Sequence, residues 1–61
     1  MNKTVYQTLS DNMSAAIDTG NREYADEVFS QALLEDGKNL DSEQFEEIAD
    51  DYYAAISGGE I

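Results

Sequence analysis

The stretch Leu40-Asp41-Ser42-Glu43-Gln44-Phe45 constrains the fold more than any other part of the chain. Aspartate followed three residues later by glutamine makes a capping box: the aspartate side chain accepts from the Gln44 backbone N–H, and the glutamine side chain reaches back to the Asp41 N–H. Leu40 before the cap and Phe45 in the first turn stand where a hydrophobic staple would fix the entering chain. A helix therefore begins at Asp41. Downstream, Phe45, Ile48, Ala49, Tyr52, Ala55 and Ile56 recur by threes and fours, which is one helical face, and Gly58-Gly59 ends it.

The same signals occur twice upstream. Thr4 and Gln7 make a second capping box, ahead of an apolar face of Val5, Leu9, Met13, Ala16 and Ile17, with Tyr6 at its margin. Gly20 is placed to end that helix with positive φ. Asn21 caps the next one, where Tyr24, Ala25, Val28, Phe29, Ala32 and Leu33 gather on one side. Asp26, Glu27, Ser30 and Gln31 lie away from it, Leu34 falls on the polar side, and Gly37 stands at the C-terminal stop.

This spacing predicts helices over 4–19, 22–36 and 42–57, with a short tail over 58–61. Three amphipathic helices joined by short connections favour a single all-α domain, an antiparallel three-helix bundle. At 61 residues such a chain buries only ~60% of the surface it exposes when unfolded. No segment alternates with period two over enough residues to make a strand.

The segment Asp36-Gly37-Lys38 through Phe45-Glu46-Glu47 also looks like the second half of a calcium-binding helix-loop-helix. Setting Gly37 at loop position 6 puts Asp36 at position 5 but Ala32 and Leu34 at positions 1 and 3, where ligating oxygens are required. Two essential ligands are missing. The segment reads instead as a helix stop followed by a helix start, and no metal or other cofactor is expected.

With no cysteine and no histidine, a disulfide framework, the common zinc sites and a serine-histidine or cysteine-histidine nucleophile are excluded. Paired carboxylates could act as acid and base only if burial raised the pKa of one of them, and these lie on faces opposite the apolar stripes. Catalysis is not expected. The N-terminal residues lack the apolar run of a signal peptide and nothing reaches membrane-spanning length, so a cytoplasmic location is the expectation.

Fourteen acidic residues against three basic ones give a net charge of −11. Nucleic acid and anionic membranes are poor partners for such a chain, and a basic protein surface is its complement. The 41% of hydrophobic residues, regularly placed, argue for a folded chain and against disorder. The charge is uneven: residues 1–30 carry five acids and two bases, net −3, whereas residues 31–61 carry nine acids and one base, net −8.

On the third helix Glu43, Glu46, Glu47, Asp50 and Asp51 occupy the side opposite the apolar face and form one negative stripe. Glu43 with Glu47, Glu46 with Asp50 and Glu47 with Asp51 are like-charge pairs four apart, each unfavourable by ~0.2–0.5 kcal/mol. Helix stability alone would not choose this arrangement. Asp26 and Glu27, with Glu35 and Asp36, are candidates to extend it along the second helix.

Two explanations compete: the acids only give solubility, or the stripe binds a partner by imitating a nucleic-acid backbone. In being small, very acidic and poor in lysine, the chain is similar to DNA-mimic proteins, often made by phages or mobile elements to inhibit restriction, repair or CRISPR enzymes. That similarity is one of character, and it implies a non-enzymatic inhibitor or regulator bound to a nucleic-acid-binding protein. A rival reading is a helical protein interaction module, monomeric or homodimeric, making apolar or aromatic contacts through Leu34, Tyr53 and Tyr6. For Leu34 the more ordinary expectation is packing near Leu40 at the end of the bundle.

Overall fold

The computed structural model describes residues 3–61. Three helices form, α1 over Val5–Asp18, α2 over Arg22–Glu35 and α3 over Ser42–Ser57, each within about one residue of the span expected. All three pack against one another. The Cα radius of gyration is 10.9 Å, against ~10.5 Å for a compact domain of this length.

The start signals are formed as expected. Thr4 and Gln7 make both bonds of a capping box at α1, Asp41 and Gln44 make both at α3, and Asn21 accepts from the Tyr24 N–H at α2. The stops are equally local. At the end of α1 the Gly20 N–H donates to the Ile17 carbonyl and the Asn21 N–H to the Ala16 carbonyl, with Gly20 at φ 65°. This pattern satisfies carbonyls the helix leaves open, and it needs the left-handed conformation glycine adopts freely. Asn21 thus closes one helix and caps the next, which makes the α1–α2 connection very short.

The α2–α3 turn is built differently. The Glu35 carbonyl accepts from the Lys38, Asn39 and Leu40 amides, and the Gly37 N–H donates to the Leu40 carbonyl. The turn folds back on itself and delivers Leu40, 1% exposed, into the core. Phe45 also packs against that core, so both residues of the expected staple are inward.

The centre is held by Met13 from α1, Leu40 from the turn and Ile48 from α3, the largest fully buried side chains. Leu9 and Ala16 of α1 and Ala49, Tyr52 and Ala55 of α3 complete their faces. From α2 the buried residues are small, Ala25, Val28 and Ala32. The tail is not idle: Ile61 packs against the core, and a Cβ at Gly20 would lie 3.4 Å from the Glu60 carbonyl oxygen.

Two leucines depart from expectation. Leu33, assigned to the apolar face of α2, is 54% exposed, and Leu34, expected to cover the bundle end near Leu40, is 63% exposed. The six residues assigned to that face spread over half the helix circumference, more than two neighbouring helices cover. Phe29 marks the limit on the α3 side, stacked on Tyr52 with centroids 4.4 Å apart and planes at 7°. Leu33 lies beyond that limit, and Leu34 faces outward with the polar residues.

Candidate partner-binding face

Helix α3 presents two flanks and an outer face. Towards α2, Phe29 meets Tyr52, Phe45 at 6.1 Å and Tyr53 edge-on at 5.5 Å. Towards α1, the Tyr6 ring packs against the core and its phenol interacts with Glu47. Between these contacts Glu43, Glu46, Glu47, Asp50 and Asp51 are all exposed along the outer face, because the 100° rotation per residue that buries Ile48 and Tyr52 turns them outward.

No salt bridge joins any of these five to a base among the described residues. The ion pairs lie elsewhere, Lys3 with Asp11 at 2.6 Å and Arg22 with Asp26 at 2.9 Å. Lys38 stands in the α2–α3 turn. The stripe's field is therefore unneutralised by any ion pair among the described residues.

The other acids assigned to the face are separated by their surroundings. Asp26 does not simply point away from the bundle: its Oδ1 accepts from the Tyr52 hydroxyl at 2.5 Å and from Arg22 Nε at 2.9 Å. The tyrosine bond foremost, then the arginine, hold its carboxyl below the usual aspartate value. That pairing makes Asp26 a link between α2 and α3 and removes it from the unneutralised field.

Glu27 lies with Asn21, Glu23 and Tyr24 around a shallow depression at the start of α2. Glu35 is half-buried, accepts from Asn39 Nδ2 at 3.0 Å, and borders a groove between α1 and α2 with Val5, Leu9 and Gln31. Asp36 is exposed at the end of α2. The continuous stripe is thus the α3 set, and these four residues surround α2 on different sides.

Tyr6 and Tyr52 share one construction, a ring packed at the core and a phenol beside a carboxylate at the surface. Asp26 pushes the Tyr52 phenol above its ordinary value, with burial adding to the effect. The Tyr6 phenol is raised first by the neighbouring Glu47 carboxylate, then by desolvation, and Asp51 acts in the same direction against Ser10. Tyr6 is consequently a packed boundary residue, less available to a partner than expected. Tyr53 is 55% exposed and stands open beside the stripe.

Sequence reasoning did not find the bond between Tyr52 and Asp26. The available signal was a tyrosine in the middle of an apolar face, whose hydroxyl must reach a partner at the edge of the bundle. Among the described residues no three acidic side chains converge closely enough to hold a metal ion, and no helix is long and apolar enough to cross a membrane.

Fold and surface together define a small all-α bundle whose last helix carries an exposed acidic face. No protein family matches this chain, and neither a curated protein nor a solved structure shows significant similarity to it.

Proposed function

We propose that the protein acts by binding rather than by catalysis, and that the outer face of α3 occupies the basic nucleic-acid-binding surface of another protein, as a DNA mimic does. The observation that carries this reading is the run Glu43, Glu46, Glu47, Asp50 and Asp51, exposed and without an ion-pair partner among the described residues. From Glu43 to Asp51 a helix rises ~12 Å, which gives roughly one negative charge per 2–3 Å of axis. Duplex DNA carries one per ~1.7 Å. A groove lined with lysine and arginine that accepts phosphates meets a comparable charge density here, on a rigid rod.

The energetic pattern supports the same reading. Like charges four apart cost helix stability, and acids in the later half of a helix oppose its dipole. Solubility needs charge somewhere on the surface, but it does not need five acids on one face of one helix.

The test is capture of partners from a lysate of the source organism, followed by competition. A partner bound through the stripe is released by salt and by duplex DNA, and the variant Glu43→Gln/Glu46→Gln/Glu47→Gln/Asp50→Asn/Asp51→Asn loses it by at least 100-fold. A complex that resists both duplex DNA and the five-fold variant overturns the proposal.

A further inference from the structure

The aromatic flank of α3 gives that reading a specific shape. Tyr53 and Leu33, 55% and 54% exposed, lie on the open side of the α2–α3 pair, with Phe29 between them: it meets Tyr53 edge-on at 5.5 Å and precedes Leu33 by one turn on the same face. This side faces away from α1, whose Tyr6 occupies the opposite flank beside Glu47 and Asp51. Asp50 is three residues before Tyr53, and Glu46 four before Asp50, so both carboxylates border the ridge. A pure phosphate imitation would not need the ridge.

We propose that the open side of the α2–α3 pair receives an arginine-bearing amphipathic helix of the basic partner. This rests on the acidic-face reading above and adds to it where and by what chemistry the partner is recognised. Two packed helices accept a third along their open side as a further helix completes a bundle. An apolar side chain of the incoming helix covers Leu33 and Tyr53. Its arginines reach Glu46 and Asp50 with paired N–H donors, and one lies over the exposed Tyr53 ring, a placement that suits a flat guanidinium better than an ammonium. Charge complementarity selects this occupant. A second copy of the chain would bring another net −11 against the same carboxylates.

The experiment titrates the isotope-labelled full chain by NMR with three synthetic 18-residue probes. One is a helix with a leucine stripe flanked by arginines, the second has lysine for every arginine, and the third is an oligo-arginine of equal charge without leucine. The leucine–arginine helix is expected to shift the resonances of Phe29, Leu33, Asp50 and Tyr53 and to bind at least tenfold more tightly than the other two. Leu33→Ala/Tyr53→Ala removes that advantage and leaves oligo-arginine binding unchanged, while Leu34→Ala, on the outer side of α2, changes neither.

Equal affinity for the leucine–arginine helix and the oligo-arginine, unaffected by Leu33→Ala/Tyr53→Ala, overturns the ridge and leaves the acidic face standing. Shifts confined to α1 overturn it as well. Failure of all three probes to bind overturns both readings together. Both altered residues are exposed, and circular dichroism of the double variant verifies that the fold is retained.

Discussion

The first and second halves of the molecule place their carboxylates differently. In α1 and α2 two acids have ion-pair partners, Asp11 with Lys3 and Asp26 with Arg22, and Asp26 also accepts from the Tyr52 hydroxyl. In α3 five acids share one exposed face with no base among them. The helices are of similar length, so the contrast is one of placement. Where Asp26 links two helices it has donors, and where the acids face outward along α3 none has a base beside it among the described residues. Stability explains the two pairs, and the α3 face is where the proposed partner would bind.

The comparison requires both halves to rest on one core. Ile48, 1% exposed between the helices, tests that: Ile48→Ala is expected to cost ~2–5 kcal/mol, against ~3–9 kcal/mol for a domain of 61 residues. A thermal melt followed by circular dichroism should show one transition at a much lower midpoint, or no folded baseline. Survival of α1 and α2 after α3 has melted would break the comparison, because the halves would then be separate units.

Neutralising acids should have opposite signs in the two halves. Asp50→Asn/Asp51→Asn removes two like-charge pairs and leaves Glu43 near the helix start and Glu47 beside Tyr6. A gain of ~0.5–1 kcal/mol is expected, or a rise of a few degrees in Tm. Asp26→Asn also removes one negative charge, yet it weakens the hold of Tyr52 and Arg22 and should lower Tm. Differential scanning calorimetry at low salt measures both. Two shifts of the same sign would mean that total charge, not placement, governs stability.

Most of the fold was legible because its signals are local. Caps at Thr4, Asn21 and Asp41 and stops at Gly20, Gly37 and Gly59 each depend on a few neighbouring residues, and periodicity showed that Ile48 and Tyr52 face inward. The stripe on α3 was legible for the same reason, since residues on one helix keep their relative angles wherever the helix packs. What lay beyond reach depends on how far two helices rotate towards each other. The stacking of Phe29 on Tyr52 fixes that rotation for α2 and α3. It leaves Leu33 outside, brings Asp26 under the Tyr52 hydroxyl and separates Glu27 and Glu35 from the stripe. No periodicity within α2 specifies it.

The smallest expected effect concerns the two tyrosine–carboxylate contacts, and its sign follows from the direction of the shifts. Tyr52 and Tyr6 have phenols raised in the folded state above the ordinary value of 10.0, chiefly by Asp26 and Glu47 respectively. A raised value means that the native state holds the proton more tightly than the unfolded chain, so the stabilisation is complete below pH 10 and is lost as pH rises through the folded value. Asp26, lowered from 3.8, behaves in the opposite sense, its contribution being present above that value and lost as pH falls through the folded one. Melting temperatures recorded from pH 8 to 11.5 should therefore decline above about pH 10. Tyr52→Phe should start from a lower plateau and decline less steeply, because the hydroxyl that joins α3 to α2 is already gone, whereas Tyr6→Phe should flatten the profile on the α1 side alone. An alkaline decline equally steep in the Tyr6→Phe/Tyr52→Phe double variant would assign it to the rising negative charge of the whole molecule and not to these two tyrosine–carboxylate contacts.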